Sequence, residues 1–302
     1  MSTFTLQSIP DLSGTTAIVT GANTGLGRVT AGALAEHGAR VLLAVRSADK
    51  GRQAALTMPG DVEVRRLDLA DLSSVRAFAD EIEEPVDLLI NNAGLMTPPL
   101  GRTADGFELQ FGTNHLGHFA LTNLLLPRVR GRVVTVSSMG HRVGRIDLED
   151  PNWERRAYRP MLAYGQSKLA NLLFAAELQR RLAAAGSAVL AMSSHPGVAM
   201  TDLMRPQEVR GREMLRERAL RPFLQDTVGG ALPTLQAAVG NLSGDSYIGP
   251  RGALRARRDS GPVGRSRRAR DAEMARRLWT LSEELTGVTF PLTAEAPAKS
   301  GS

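Results

Sequence analysis

Residues 15–38 read TTAIVTGANTGLGRVTAGALAEHG, and this stretch decides the fold. TTAIVT (15–20) is an apolar, β-branched run of strand length. A turn holding Gly21, Gly25 and Gly27 follows it. LGRVTAGALAEHG then has helical periodicity, and Gly38 is a helix-stop glycine. The strand–turn–helix unit recurs along the chain that follows. ARVLLAV (39–45) predicts a second strand and a helix near 48–57, and VEVRRLDL (62–69) a third strand. Asp71 or Ser73 is placed to cap the next helix, SSVRAFADEI. VDLLINNAG (86–94) predicts a fourth strand, 105–126 a long helix, RVVTVSS (132–138) a fifth strand, 162–185 a helix and AVLAMSSHPG (188–197) a sixth strand.

These apolar strands are continuous rather than alternating, the mark of parallel strands covered on both faces. The expectation is α/β: a single-domain Rossmann fold, a doubly wound parallel sheet of about seven strands with helices on both faces. No repeat or linker divides the chain, so residues 1–302 are read as one domain with its core over about 10–290. Two irregular stretches, 139–161 and 198–225, emerge beyond strand carboxyl ends, where open α/β sheets bind ligands, and are the expected substrate loops.

Composition narrows the function. The 302 residues include no cysteine, which excludes disulfides, thiol nucleophiles and cysteine-ligated metals. No apolar run has the length of a membrane span, and MSTFTLQSIPDLSG lacks the features of a secretory signal, so a cytoplasmic protein is expected. The formal charge is +6, but residues 251–277 hold ten arginines against three acids. The rest of the chain is therefore near neutral. Such a segment can attract nucleic acid, yet it has no interleaved aromatics and reads better as a solvated basic rim. Lysine occurs only at 50, 168 and 299, so each lysine invites a reason.

The glycine turn opens the first helix, whose free N–H groups and positive dipole end suit a pyrophosphate. Its G-x-x-x-G-x-G spacing is not the common G-x-G-x-x-G, and its place after a strand gives it weight. NAD-binding folds set an acid at the end of the second strand to hold the ribose 2′-hydroxyl. This chain has Arg46 there, and Arg28 follows the third glycine. Guanidinium groups suit a 2′-phosphate, so NADP(H) is expected over NAD(H).

YGQSK places Tyr164 and Lys168 four residues apart on one helix face. A phenol is a poor base at neutral pH, and a neighbouring cation favours phenolate. Ser137 and Ser138 end the fifth strand, where a hydroxyl can donate to a developing alkoxide. Asn114, in FGTNHLGHF, is polar among apolar neighbours, and its amide either holds a water for proton relay or satisfies backbone groups. His141 follows the serine pair as a candidate substrate contact. His115 and His118 lie three apart on a helix, but no third ligand accompanies them, so no metal site is expected.

TGANTGLG, LDLADL, NNAG, the Asn114 segment, SS, YGQSK and HPG occur in the order of the short-chain dehydrogenase/reductase superfamily, classical type. The finer match in TNHLGHFALTNLL, the long interval from Ser138 to Tyr164 and the terminal RRLWTLSEELTGV resembles the retinol dehydrogenase-like branch. The resemblance covers roughly residues 10–290. It implies that Gly21, Gly25 and Gly27 shape the pyrophosphate turn with Asn23 and Leu26 lining it, and that Arg46 takes the 2′-phosphate. Asp68 and Leu69 would contact the adenine, with Asn91, Ala93 and Gly94 on the adenosine side. Pro196, Gly197, Val198 and Thr201 would pack on the nicotinamide. It selects Ser138 over Ser137 to orient the carbonyl oxygen and makes Tyr164 the general acid–base. Lys168 would hold the ribose and lower the tyrosine pKa, with Asn114 supporting a water beyond it. The implied reaction is NADP(H)-dependent interconversion of an aldehyde or ketone with an alcohol. A cofactor sensor without turnover is the alternative, and such proteins commonly lack the tyrosine or lysine present here. Vertebrate members of this branch often carry an N-terminal membrane anchor; none is expected here, so retinoid use is not carried over. The resemblance also implies a homodimer or homotetramer through the helices carrying Asn114 and Tyr164.

Overall fold

The computed structural model describes residues 3–197, 227–251 and 259–293. One eight-stranded sheet runs through it, in the order β3-β2-β1-β4-β5-β6-β7-β8. The strands are β1 Thr16–Thr20, β2 Arg40–Val45, β3 Val62–Arg66, β4 Val86–Asn91, β5 Val129–Val136, β6 Leu190–Ser194, β7 Tyr247–Pro250 and β8 Ser260–Pro262. The first seven are parallel and β8 pairs antiparallel with β7. The expected count of about seven thus holds for the parallel strands. The eighth is a three-residue SGP with no apolar run to announce it.

Successive strand residues enter different cores. Ile18, Leu42, Leu89 and Val133 join one face, while Ala17, Val19, Val41, Leu43, Ile90 and Val134 join the other. Both sets are apolar because both faces are covered, which is why the strands read as continuous hydrophobic runs. Helices α1 (Gly25–Glu36) and α7 (Thr227–Val239) cover the second face. The first face is covered by α3 (Leu72–Asp80), α5 (Gly117–Leu125), α6 (Pro160–Ala184) and α8 (Ala272–Thr286). A short α2 (Ala48–Ala55) follows β2. Asp71, not Ser73, caps α3, its carboxylate accepting from the Ser73 and Ser74 amides.

The long helix expected over 105–126 begins later and is not uniform. Glu108 caps α4 (Leu109–Phe111), a π turn spans Gly112–Leu116, and α5 continues from Gly117. The extra residue in the π turn is the one irregularity in this run, and Asn114 is inside it.

The last described helix is fastened by aromatics. Trp279 stacks on Phe174 at 5.7 Å and meets Phe119 edge-on at 4.9 Å, and the Arg181 guanidinium lies 4.5 Å from the Trp279 ring. In the arginine-rich stretch, Arg251 pairs with Asp259, Arg265 with Asp245 and Arg276 with Glu273. Arg255, Arg257 and Arg258 lie outside the described residues.

Candidate active site

The sheet order reverses between β1 and β4, and the crevice at their carboxyl ends is where doubly wound sheets take ligands. Gly21 sits there with φ 66°, a left-handed conformation, and a β-carbon on it would fall 2.9 Å from Ala93 Cβ. Thr24, the residue before α1, makes no side-chain cap, so the first-turn amides of α1 are not taken by it. Alongside lies a cleft of about 400 Å³ lined by Asn23, Thr24, Arg28, Asp49, Lys50, Gln53 and Ala54. Leu26 is half-buried in the same turn. Arg46 is exposed just past β2 with no carboxylate partner among the described residues. Close backbone approach, open amides and cations nearby fit a dinucleotide pyrophosphate with a further phosphate.

Thr20 ties the crevice together. Its hydroxyl oxygen accepts from the Asn92 and Ala93 amides, both at 2.9 Å, and Asn92 Nδ2 donates to its carbonyl at 2.8 Å. Asp68 accepts from the Ala70 amide, and Leu69 is buried. Asn91 departs from its expected place on the cofactor side. It is fully buried and donates to Thr122 Oγ1 at 2.8 Å, because the last residue of β4 turns its side chain into the core under α5. Pro196 and Gly197 follow β6, with the Gly197 amide donating to His195 Nδ1. Val198, Thr201 and the 198–225 loop lie outside the described residues.

Tyr164 and Lys168 both rise from α6. Gly165 permits this arrangement, since a β-carbon there would meet Gly140 O and Gly144 N, each at 2.9 Å. The 3₁₀ turn Met139–Arg142 therefore lies directly on α6. Its cap is Ser138, whose Oγ accepts from Gly140 N at 3.1 Å, and a β-carbon on Gly140 would fall 3.0 Å from the Tyr164 ring and 3.5 Å from that Oγ. Ser137 is committed elsewhere, donating to the Lys168 carbonyl at 2.7 Å. Geometry thus separates the two serines. Lys168 Nζ donates to Val136 O at 3.1 Å and lies 5.9 Å from the Tyr164 ring centre.

Burial raises the Tyr164 phenol above its ordinary value, opposed by the neighbouring Ser138 hydroxyl. The expected lowering by Lys168 is not seen: its ammonium donates to Val136 O and stands 5.9 Å from the ring centre. Burial likewise pulls Lys168 down to about 8. Asn114 satisfies backbone: its Oδ1 accepts from Leu95 N at 2.8 Å, and its Nδ2 donates to Leu95 O and Ser167 Oγ, both at 3.0 Å. Gly94 lies between, a β-carbon on it falling 3.1 Å from Asn114 Oδ1 and 3.3 Å from Lys168 Nζ. His141 is not the open substrate contact expected. It is wholly buried, with Nδ1 bonded to Ser138 O at 2.7 Å and Nε2 accepting from Ser266 N at 3.4 Å. The reason is that the 3₁₀ turn packs inward against Tyr247.

A family model described as short chain dehydrogenase matches residues 15–210. The chain belongs to the short-chain dehydrogenase family. It is 42% identical to the human protein named Retinol dehydrogenase 13 over 95% of this chain and 88% of that one. It is 41% identical to mouse Retinol dehydrogenase 12 over 92% of this chain and 88% of that one. A crystal structure of an uncharacterised protein from Mycobacterium Paratuberculosis is 55% identical, with a TM-score of 0.85 over 96% of this chain and all of that one. This short-chain dehydrogenase is therefore an α/β oxidoreductase of the retinol dehydrogenase-like kind, whose family chemistry is hydride transfer between carbonyl and alcohol with a nicotinamide cofactor. Among the described residues no helix is long and apolar enough to cross a membrane.

Two residues of the site escape sequence reasoning. Thr20 is an ordinary strand threonine until the fold brings Asn92 and Ala93 to it. Gln166, between Tyr164 and Lys168, is buried and donates to Pro151 O while accepting from Arg156, fixing the 139–161 insertion to α6.

Proposed function

We propose that this short-chain dehydrogenase uses NADP(H) to interconvert an aldehyde or ketone with an alcohol, Tyr164 passing the proton. The observation that carries the reading is the half-buried Tyr164, whose ring and Ser138 Oγ both lie within 3.5 Å of where a β-carbon on Gly140 would sit, with Lys168 one helical turn along against Gly94 beside the glycine turn. Bound nicotinamide supplies the hydride donor and acceptor. Ser138 orients the carbonyl oxygen, and Tyr164 gives or takes the proton at that oxygen. Lys168 holds ribose hydroxyls, and Asn114 fixes the backbone beside it. NADP(H) over NAD(H) is supported by exposed Arg46, where a carboxylate would serve NAD and which has no acidic partner among the described residues, and by Arg28 and Lys50 lining the adjoining cleft. The likeness to retinol dehydrogenases supports a primary alcohol and aldehyde pair as the substrate class.

The test is a panel of aldehydes, ketones and alcohols followed at the NADPH absorbance, with Tyr164→Phe in parallel. Turnover is expected from the native chain, and Tyr164→Phe is expected to bind NADPH without turnover. Equal activity in Tyr164→Phe removes the tyrosine mechanism, and no turnover across the panel removes the enzyme reading.

A further inference from the structure

His115 and His118 are both buried in the segment that carries Asn114, and neither touches the reacting groups. Their bonds point in opposite directions. His118 Nδ1 lies 3.0 Å from Asn114 O, and its Nε2 lies 2.9 Å from Thr20 Oγ1. A carbonyl only accepts, so Nδ1 carries the proton and Nε2 accepts from the threonine hydroxyl, which lies 2.9 Å from it against 3.3 Å from its other acceptor, Ile90 O. Thr20 meanwhile receives the Asn92 and Ala93 amides. An unbroken chain of hydrogen bonds therefore runs from the Asn114 carbonyl to the backbone at the end of β4. Burial keeps this ring neutral, pulling it down to about 4, which preserves the single tautomer the chain requires.

His115 faces the other way. Its Nε2 lies 3.0 Å from Ser282 Oγ on α8, and Ser282 gives its own proton to Leu278 O at 2.7 Å, so His115 donates. Its ring lies 5.2 Å from that of Phe111 and 6.1 Å from that of Phe174. The π turn between these anchors forgoes the regular helical ladder and persists only where its surroundings hold it.

We propose that His118 and His115 are positioning residues that pin the π turn, His118 to the sheet and His115 to the C-terminal helix, so that Asn114 stays in register with Lys168 and Tyr164. Asn114 holds both polar groups of Leu95 and, through Ser167, the Tyr164 carbonyl. A shift of the turn therefore moves the wall beside Lys168 and the helical turn under the phenol together. The role rests on the catalytic reading above, but the hydrogen-bond chain can be tested apart from turnover.

The experiment combines residue-level amide hydrogen exchange with steady-state kinetics on the full chain. His118→Leu removes both bonds. His118→Asn keeps the bond to Asn114, in the geometry Asn123 Nδ2 already uses on Phe119 O at 3.0 Å. His115→Phe keeps the aromatic volume and loses only Ser282. Exchange at Leu95 and at amides 112–117 is expected to speed about tenfold in His118→Leu and to return to within about threefold of native in His118→Asn. His115→Phe is expected to fall between them. Turnover is expected to fall in the same order through kcat, with KM changing less than about twofold. Unchanged exchange in folded His118→Leu overturns the proposal, as does equal loss in His118→Asn and His118→Leu. Should His118→Leu not fold, His118→Gln and Ser282→Ala take its place with the same exchange readout. A native chain without turnover ends the enzyme reading and leaves the exchange result to decide the histidines.

Discussion

Lys168 costs the folded protein stability, and replacing it with methionine exposes how much. The side chain is 4% exposed, and burial lowers its ammonium from 10.5 to about 8. That displacement corresponds to about 3 kcal/mol given up to keep the group charged at neutral pH. Lys168→Met abolishes the cost and loses one hydrogen bond, to Val136 O, worth about 1 kcal/mol. The carbonyl is not orphaned, because Asn171 Nδ2 also donates to it at 3.2 Å. The variant should therefore be more stable at pH 7 by about 2 kcal/mol, a rise of roughly 4 °C in Tm for a chain of this size. The sign with pH follows from proton binding. Between about 8 and 10.5 the unfolded chain holds the lysine proton and the folded chain has released it, so native stability rises with pH across that window. Below it the whole cost is present, and above it the cost is gone. Thermal denaturation of both proteins at pH 7, 9 and 10.5, with turnover measured alongside, should show a gap that closes as pH rises and a variant without useful activity. A variant no more stable than native at pH 7, or a gap indifferent to pH, refutes the reasoning that burial of a charge governs this site.

Three further outcomes are expected. Arg46→Asp should cost NADPH about 10–100-fold in Kd while improving NADH, as one charge-assisted contact is exchanged for repulsion; cofactor titration by fluorescence reads both. Trp279→Ala should destabilise by about 3–5 kcal/mol in urea denaturation, since the ring fills space between Phe119 and Phe174. Because burial raises the Tyr164 phenol, carbonyl reduction should hold level from acid to neutral pH while alcohol oxidation climbs with pH. A pH–rate profile in both directions checks this, and parallel profiles would contradict it.

What could be read from sequence was chemistry confined to short stretches. Gly21, Gly25 and Gly27 lie within one turn, and Tyr164 and Lys168 share one helical face, so local spacing places them together. That both faces of the sheet are covered was legible for the same reason: each strand is a continuous apolar run. Features set by distant partners were not. The π turn has no signature of its own in GTNHL, and its identity depends on Thr20 and Ser282, 94 and 168 positions from Asn114. His141 looked available beside Ser138 but is buried by Tyr247 and bonded to Ser266, both far along the chain. Asn91 is decided by Thr122 in the same way. β8 gives no signal because its three residues, SGP, carry no apolar run and are a strand only by pairing with β7.

The fastening of α8 also sets an order of assembly. Phe119 and Phe174 belong to the middle of the chain, yet the ring that closes over them is Trp279, and Arg76 Nη2 waits for the Thr286 carbonyl, 210 positions later. A ribosome emits the glycine turn, Ser138 and Tyr164 well before it emits the helix that seals the core beneath them. The nascent chain therefore carries Ser138 and Tyr164 for some time above an unsealed aromatic surface, a state open to aggregation and to chaperone capture. Closure by such long-range contacts is slow, and a chain ending before residue 279 would never complete it.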